Sequence, residues 1–143
     1  MKPSRRSTIT ALFLGAGLLF ANAASAETIS LKADLKASNE VPPNNSAATG
    51  KAEATFDTAT KTLAYTVTYS GLSGAAIGAH FHGPTEQGKN AGIVVPFNFV
   101  ATPIKGTVVL TDAQTTDLLA GKWYANIHTA ANPGGEIRGQ LTR

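Results

Sequence analysis

The chain contains no cysteine, and its only methionine is the initiator. That excludes disulfides, thiolate ligands, thioether ligands and a cysteine nucleophile. A blue-copper electron-transfer centre needs such sulfur ligands and is excluded with them. No serine stands in a Gly-X-Ser-X-Gly context, so a nucleophile elbow is missing too, and "GPTEQG" is too short and irregular for a phosphate loop. Histidine is scarce, at three residues: His80, His82 and His128. Long hydrophobic runs are equally scarce. The one apolar run, from about Ile9 to Phe20, is shorter than the ~20 residues that cross a bilayer.

That run has a basic start (Lys2, Arg5, Arg6) and ends in Ala24-Ser25-Ala26. This is the pattern of a secretory signal peptide, with cleavage expected after Ala26. Residues 1–26 are therefore expected to be a leader, and 27–143 a single domain. "SRRSTI" also resembles a twin-arginine export signal, with Thr8 and Ile9 in place of its usual Phe-Leu pair. The expected location is outside the cytoplasm, periplasmic or secreted, with no membrane span after cleavage.

The leader also accounts for the apparent basicity. The whole chain carries a net charge of +3, and losing Lys2, Arg5 and Arg6 leaves nine basic and nine acidic residues. No basic surface is implied, which argues against a nucleic-acid partner.

Residues alternate in hydrophobicity with period two along most of the mature chain, which predicts one-sided strands. In 28–36, Ile29, Leu31, Ala33 and Leu35 share one face. In 51–57, Ala52, Ala54 and Phe56 do so, and in 62–72, Leu63, Tyr65, Val67 and Tyr69. "DTATK" between the last two reads as a hairpin turn. Further strands are expected at 75–83, 91–97, 104–111, 123–129 and 135–141. Pro42 and Pro43 forbid a central strand within 37–50, and 83–92 is a turn region. "TDAQTTDLLAG" is the exception to the alternation: Thr111 with Gln114 forms a capping-box signature and Gly121 suits a helix stop. The expected fold is all-β, an antiparallel two-layer sandwich (Greek-key or immunoglobulin-like) or a partly closed barrel, with one short helix.

On a strand, residues two apart project from one face. His80 and His82 therefore point together, with β-carbons roughly 6–7 Å apart, while Phe81 points away. His128 lies on a later strand, sharing a face with Tyr124 and Asn126. If the two strands are neighbours, three imidazoles converge and leave an open position for water or another ligand. Nitrogen ligands favour copper, with zinc as the alternative. Glu136 and Asn126 are the candidates for a fourth ligand or for orienting a histidine. Glu136 and Arg138 share a strand face and could equally form an ion pair. Glu86 and Glu136 are the candidates for a general base, neither placed by the sequence.

The segments "ASNEVPP", "GAHFHGP", "LLAGK" and "WYANIHTAANPGGEIRGQL" resemble the CHRD (chordin-type) domain over about residues 29–141. The resemblance implies a β-rich domain found in exported bacterial proteins and, as repeats, in the extracellular animal protein chordin. His80, His82, His128, Glu136 and Arg138 match the family pattern position by position. Chordin binds growth factors, so one implication is a protein-interaction or matrix module without metal. The reading that combines both lines is an exported protein holding one copper or zinc ion, for metal binding, storage or delivery. A copper-dependent redox enzyme of the superoxide-handling type is a further alternative, and the sequence shows no charged funnel, placed base or substrate pocket for it. A homodimer or a metal-delivery partner is compatible with this reading.

Overall fold

The structure is a computed structural model that describes residues 26–143. The expected leader lies outside the described residues, apart from Ala26. Eight strands follow in chain order: β1 (Thr28–Lys36), β2 (Thr49–Asp57), β3 (Thr62–Ser70), β4 (Ala76–His82), β5 (Ile93–Pro96), β6 (Ile104–Val109), β7 (Tyr124–Thr129) and β8 (Ile137–Gln140). One helix, α1 (Asp112–Leu119), lies between β6 and β7. The strands form one antiparallel sheet in the order β5-β4-β7-β8-β1-β2-β3-β6. The sheet curls into a nearly closed barrel. Of the two closures expected, the barrel is the one adopted.

Local sequence explains most elements. β1 is buried at every second residue, from Ile29 to Leu35, as its alternation requires. β2 and β3 pair over nine residues, from Thr49↔Ser70 to Asp57↔Thr62, and are closed by a tight turn. In that turn Asp57 Oδ1 accepts from the Ala59 and Thr60 amides, an Asx arrangement that replaces lost ladder bonds. α1 begins with a complete capping box, in which the Thr111 hydroxyl accepts from the Gln114 amide and the Gln114 side chain from the Thr111 amide. This satisfies two of the amides that a helix start leaves unpaired.

The inward side chains of the two ends of the sheet meet in the middle. Tyr65 on β3 packs edge-on against Phe81 on β4, with ring centroids 5.2 Å apart, and stacks on Phe97 at 4.8 Å. Phe81 and Trp123 are wholly buried in the same cluster. Burying such a ring is worth about 1.5–3 kcal/mol, so this cluster holds β4 against β3. It also fixes which face of β4 looks inward, and hence that His80 and His82 look outward.

Candidate metal centre

β4 and β7 are direct neighbours. Their antiparallel register sets Gly78 opposite His128, His80 opposite Asn126 and His82 opposite Tyr124. His128 is thus diagonal to His80 on the shared outer face, within reach of a long side chain. Gly78 makes the diagonal usable: a β-carbon there would lie 3.2 Å from His80 Cε1 and 3.8 Å from His128 Cδ2. The absent side chain leaves room for the His80 ring to lie beside its neighbour.

The three imidazoles converge. Ring centroids are 5.0 Å apart for His80 and His128, 5.4 Å for His80 and His82, and 5.9 Å for His82 and His128. One ligand nitrogen from each lies within 4.8 Å of the others. His80 Nδ1 and His128 Nε2 are 3.3 Å apart. Two nitrogens each ~2.0–2.1 Å from one tetrahedral ion would be separated by roughly 3.3 Å, so this pair already has a metal-ligand spacing.

Backbone carbonyls decide which nitrogens are free. His82 Nδ1 lies 3.0 Å from the Ala91 carbonyl and His128 Nδ1 lies 2.9 Å from the Pro133 carbonyl. A carbonyl only accepts, so both Nδ1 atoms carry the proton; the His82 Nε2 lone pair is left available, and that of His128 Nε2 faces His80 Nδ1. His82 Nε2 is buried and has no hydrogen-bond partner. A buried polar atom without a partner costs about 1–3 kcal/mol, and a cation beside it would remove that cost. The carbonyl behind each ring is the support that ligating histidines ordinarily have.

The electrostatics of His80 and His82 favour the neutral form, which ligation requires. Burial, then the neighbouring His128 and His82, pushes His80 down to about 4. Burial is also the main cause lowering His82, with His128 and the Arg138 cation adding to it against the opposing carbonyl bond to Ala91.

The acidic candidates lie elsewhere. Glu136 is fully buried, but its oxygens accept from the hydroxyls of Ser46, Ser73 and Thr129 and from the Ser73 amide, not from a histidine. Burial alone would raise its carboxyl, yet these donors outweigh it and hold the group down to about 2. Nor does Glu136 pair with Arg138, whose guanidinium donates to Asn90 Oδ1 at 3.0 Å and to the Lys89 carbonyl at 2.6 Å. Glu136 lies in the bend just before β8 and Arg138 within it, and different segments capture them. Among the described residues the ion pair the structure forms is Lys61 with Asp112. Asn126 is buried opposite His80, and its amide nitrogen donates to Glu40 Oε1 and to the Ile137 carbonyl at 3.1 Å. Glu86 is exposed on the loop after β4.

Sequence reasoning missed Glu40, Tyr124, and the carbonyls of Ala91 and Pro133. Strand periodicity sets Tyr124 on the histidine face but gives it no role. Backbone acceptors leave no sequence signal, whereas Gly135 marks where Glu40 and Asn126 crowd the chain.

Fold and site together define a small antiparallel β-barrel that carries a histidine triad on its outer face. A family model for the CHRD domain matches residues 31–141, and the chain belongs to the CHRD domain family. No curated protein and no solved structure matches it.

Proposed function

We propose that the protein is exported and binds one copper ion, with zinc as the alternative, through His80, His82 and His128. Its role is metal binding, storage or delivery outside the cytoplasm. The observation that carries the proposal is the buried, partnerless Nε2 of His82, set beside two further imidazoles within ligand distance. An all-nitrogen site without sulfur favours copper(II) over other first-row divalent ions in affinity. Three protein ligands leave a position open to water or to an acceptor site on a partner, which suits transfer as much as storage.

Metal titration of the mature protein beside His80→Ala and His128→Ala tests this. The expected result is one equivalent of copper for the wild type, a loss of at least about 100-fold in affinity for either variant, and a melting temperature that rises with copper only in the wild type, since a ligand of the native state alone must stabilise it. Equal binding by all three proteins would overturn the proposal. Protons compete with the metal for the same lone pairs. With His80 held down to about 4 and His82 also lowered, copper should be retained between pH 7 and 6 and released as the pH falls toward 4.

A further inference from the structure

We infer that Arg138 and Tyr124 are positioning residues for His82, holding its ring and its tautomer in the ligating state. The inference rests on the histidine metal site proposed above. Arg138 is only 2% exposed, and dehydrating a cation costs several kcal/mol unless its surroundings compensate. Among the described residues no carboxylate forms an ion pair with it. Beside the charge of the nearby Glu40, what compensates is a closed circuit of contacts that ends on His82. The guanidinium carbon lies 3.4 Å from the centre of the Tyr124 ring. The other face of that ring is taken by His82, because β7 lies between β4 and β8. The His82 and Tyr124 rings are stacked 4.9 Å apart and tilted by only 3°. Arg138 also grips the loop after β4 through Asn90 Oδ1 and the Lys89 carbonyl. The next residue, Ala91, donates its amide to the Tyr124 hydroxyl at 3.2 Å and offers its carbonyl to His82 Nδ1 at 3.0 Å.

His82 is therefore fixed twice by one cation. The stack sets the plane of the imidazole, and the clamped loop supplies the acceptor that keeps the proton on Nδ1. Without the clamp, Ala91 is free to drift and either nitrogen of His82 can carry the proton, so Nε2 is no longer reserved for a metal. Only a planar guanidinium can stack and donate in a fork at once, so the substitution Arg138→Lys would keep the charge but lose the arrangement.

Nitrogen-15 NMR of the metal-free protein reads the His82 tautomer directly, and copper titration with electron paramagnetic resonance reads the consequence. Wild type should show a single Nδ1-protonated form. Arg138→Met should show a mixture, a 10–100-fold loss of copper affinity, as loss of groups supporting a ligand typically gives, and a changed copper(II) spectrum. Arg138→Lys should behave like Arg138→Met rather than restore the wild-type state. Tyr124→Leu, which removes the stack and the hydroxyl that holds the Ala91 amide while leaving the Arg138 hydrogen bonds to Asn90 and Lys89 in place, should give the same tautomer mixture if Arg138→Met does not fold. Folded variants that keep the wild-type tautomer and spectrum would overturn the inference. A wild type that binds no copper would overturn the metal reading instead, and the tautomer measurement would still judge Arg138 and Tyr124.

Discussion

The two halves of the barrel share one core but treat their outer faces differently. In β1 the outward residues are all exposed and the inward ones all buried. In β7 only His128 escapes full burial, and in β8 only Gln140 does. The difference lies in what covers them. The irregular segment after β1 lies against β8, where Asn39 Nδ2 donates to the Arg138 carbonyl and Asn44 Nδ2 to the Glu136 carbonyl, both at 3.0 Å. The loop after β4 adds Thr85 and Asn90, which accept from Gln140 and Arg138. Polar side chains on this half are therefore dehydrated and must find partners inside the protein. Those on the other half are solvated and almost free to vary. A sheet exposed on one side is a scaffold, and covering its second side turns polar residues into a site.

The largest effect expected from that contrast is at Gly135. Its φ of +131° lies in the region that favours glycine, and a β-carbon would sit 2.6 Å from Asn126 Nδ2 and from both oxygens of Glu40. Backbone strain and overpacking together should cost Gly135→Ala about 3 kcal/mol. Thr55→Ala, on the exposed face of β2, should stay within about 0.5 kcal/mol. Urea denaturation of both variants checks the pair. Equal midpoints would mean that the cover over β7 and β8 is not packed.

Glu136 comes next. Its carboxylate gathers donors from the segment before β2, the segment before β4 and the end of β7, so it ties the cover to the sheet. Glu136→Gln replaces an acceptor of charge-assisted bonds with a group that must also place two N–H donors there, at a cost of about 2 kcal/mol. The pH dependence follows from the depressed carboxyl. Stability is fully present above the unfolded value near 4.5 and is lost as the pH falls toward about 2. Thermal melts from pH 7 to pH 2 should show the wild type and Glu136→Gln converging at the acid end. Parallel curves would show that the charge of Glu136 contributes nothing.

The same contrast separates what the sequence reveals from what it hides. Alternation in β1 to β3 is legible because one face is wet, so polarity reports direction. The α1 capping box and the shared face of His80 and His82 are legible because both are local rules. The neighbouring of β4 and β7 is only conditional in the sequence, since strand order is not written in spacing. The fates of Glu136 and Arg138 are hidden. Two steps apart on a strand, they look like an ion pair, yet Ser46 reaches Glu136 from 90 residues away and Asn90 reaches Arg138 from 48. Where loops fold back over a sheet, partners come from distant sequence and short-range pairing rules lose to them.

Glu40 gives the smallest and most diagnostic effect, because its sign should be opposite to that of Glu136. Both glutamates are buried under the same cover. Glu40, however, is short of donors. Burial raises its carboxyl to about 7, only partly opposed by the Asn126 amide and the Arg138 charge. A raised value in the folded state means that its contribution is complete below the unfolded value near 4.5 and fades as the pH rises through 7. At pH 8 the fold then carries a dehydrated anion that Glu40→Gln removes while keeping an oxygen for Asn126. The variant should match the wild type at pH 5 and be more stable by roughly 1 kcal/mol at pH 8, read from urea midpoints at the two pH values. If Glu40→Gln instead destabilised the protein at pH 8 as Glu136→Gln should, then Arg138 would be compensating the Glu40 charge directly, and the cover would hold its two glutamates by one rule rather than two.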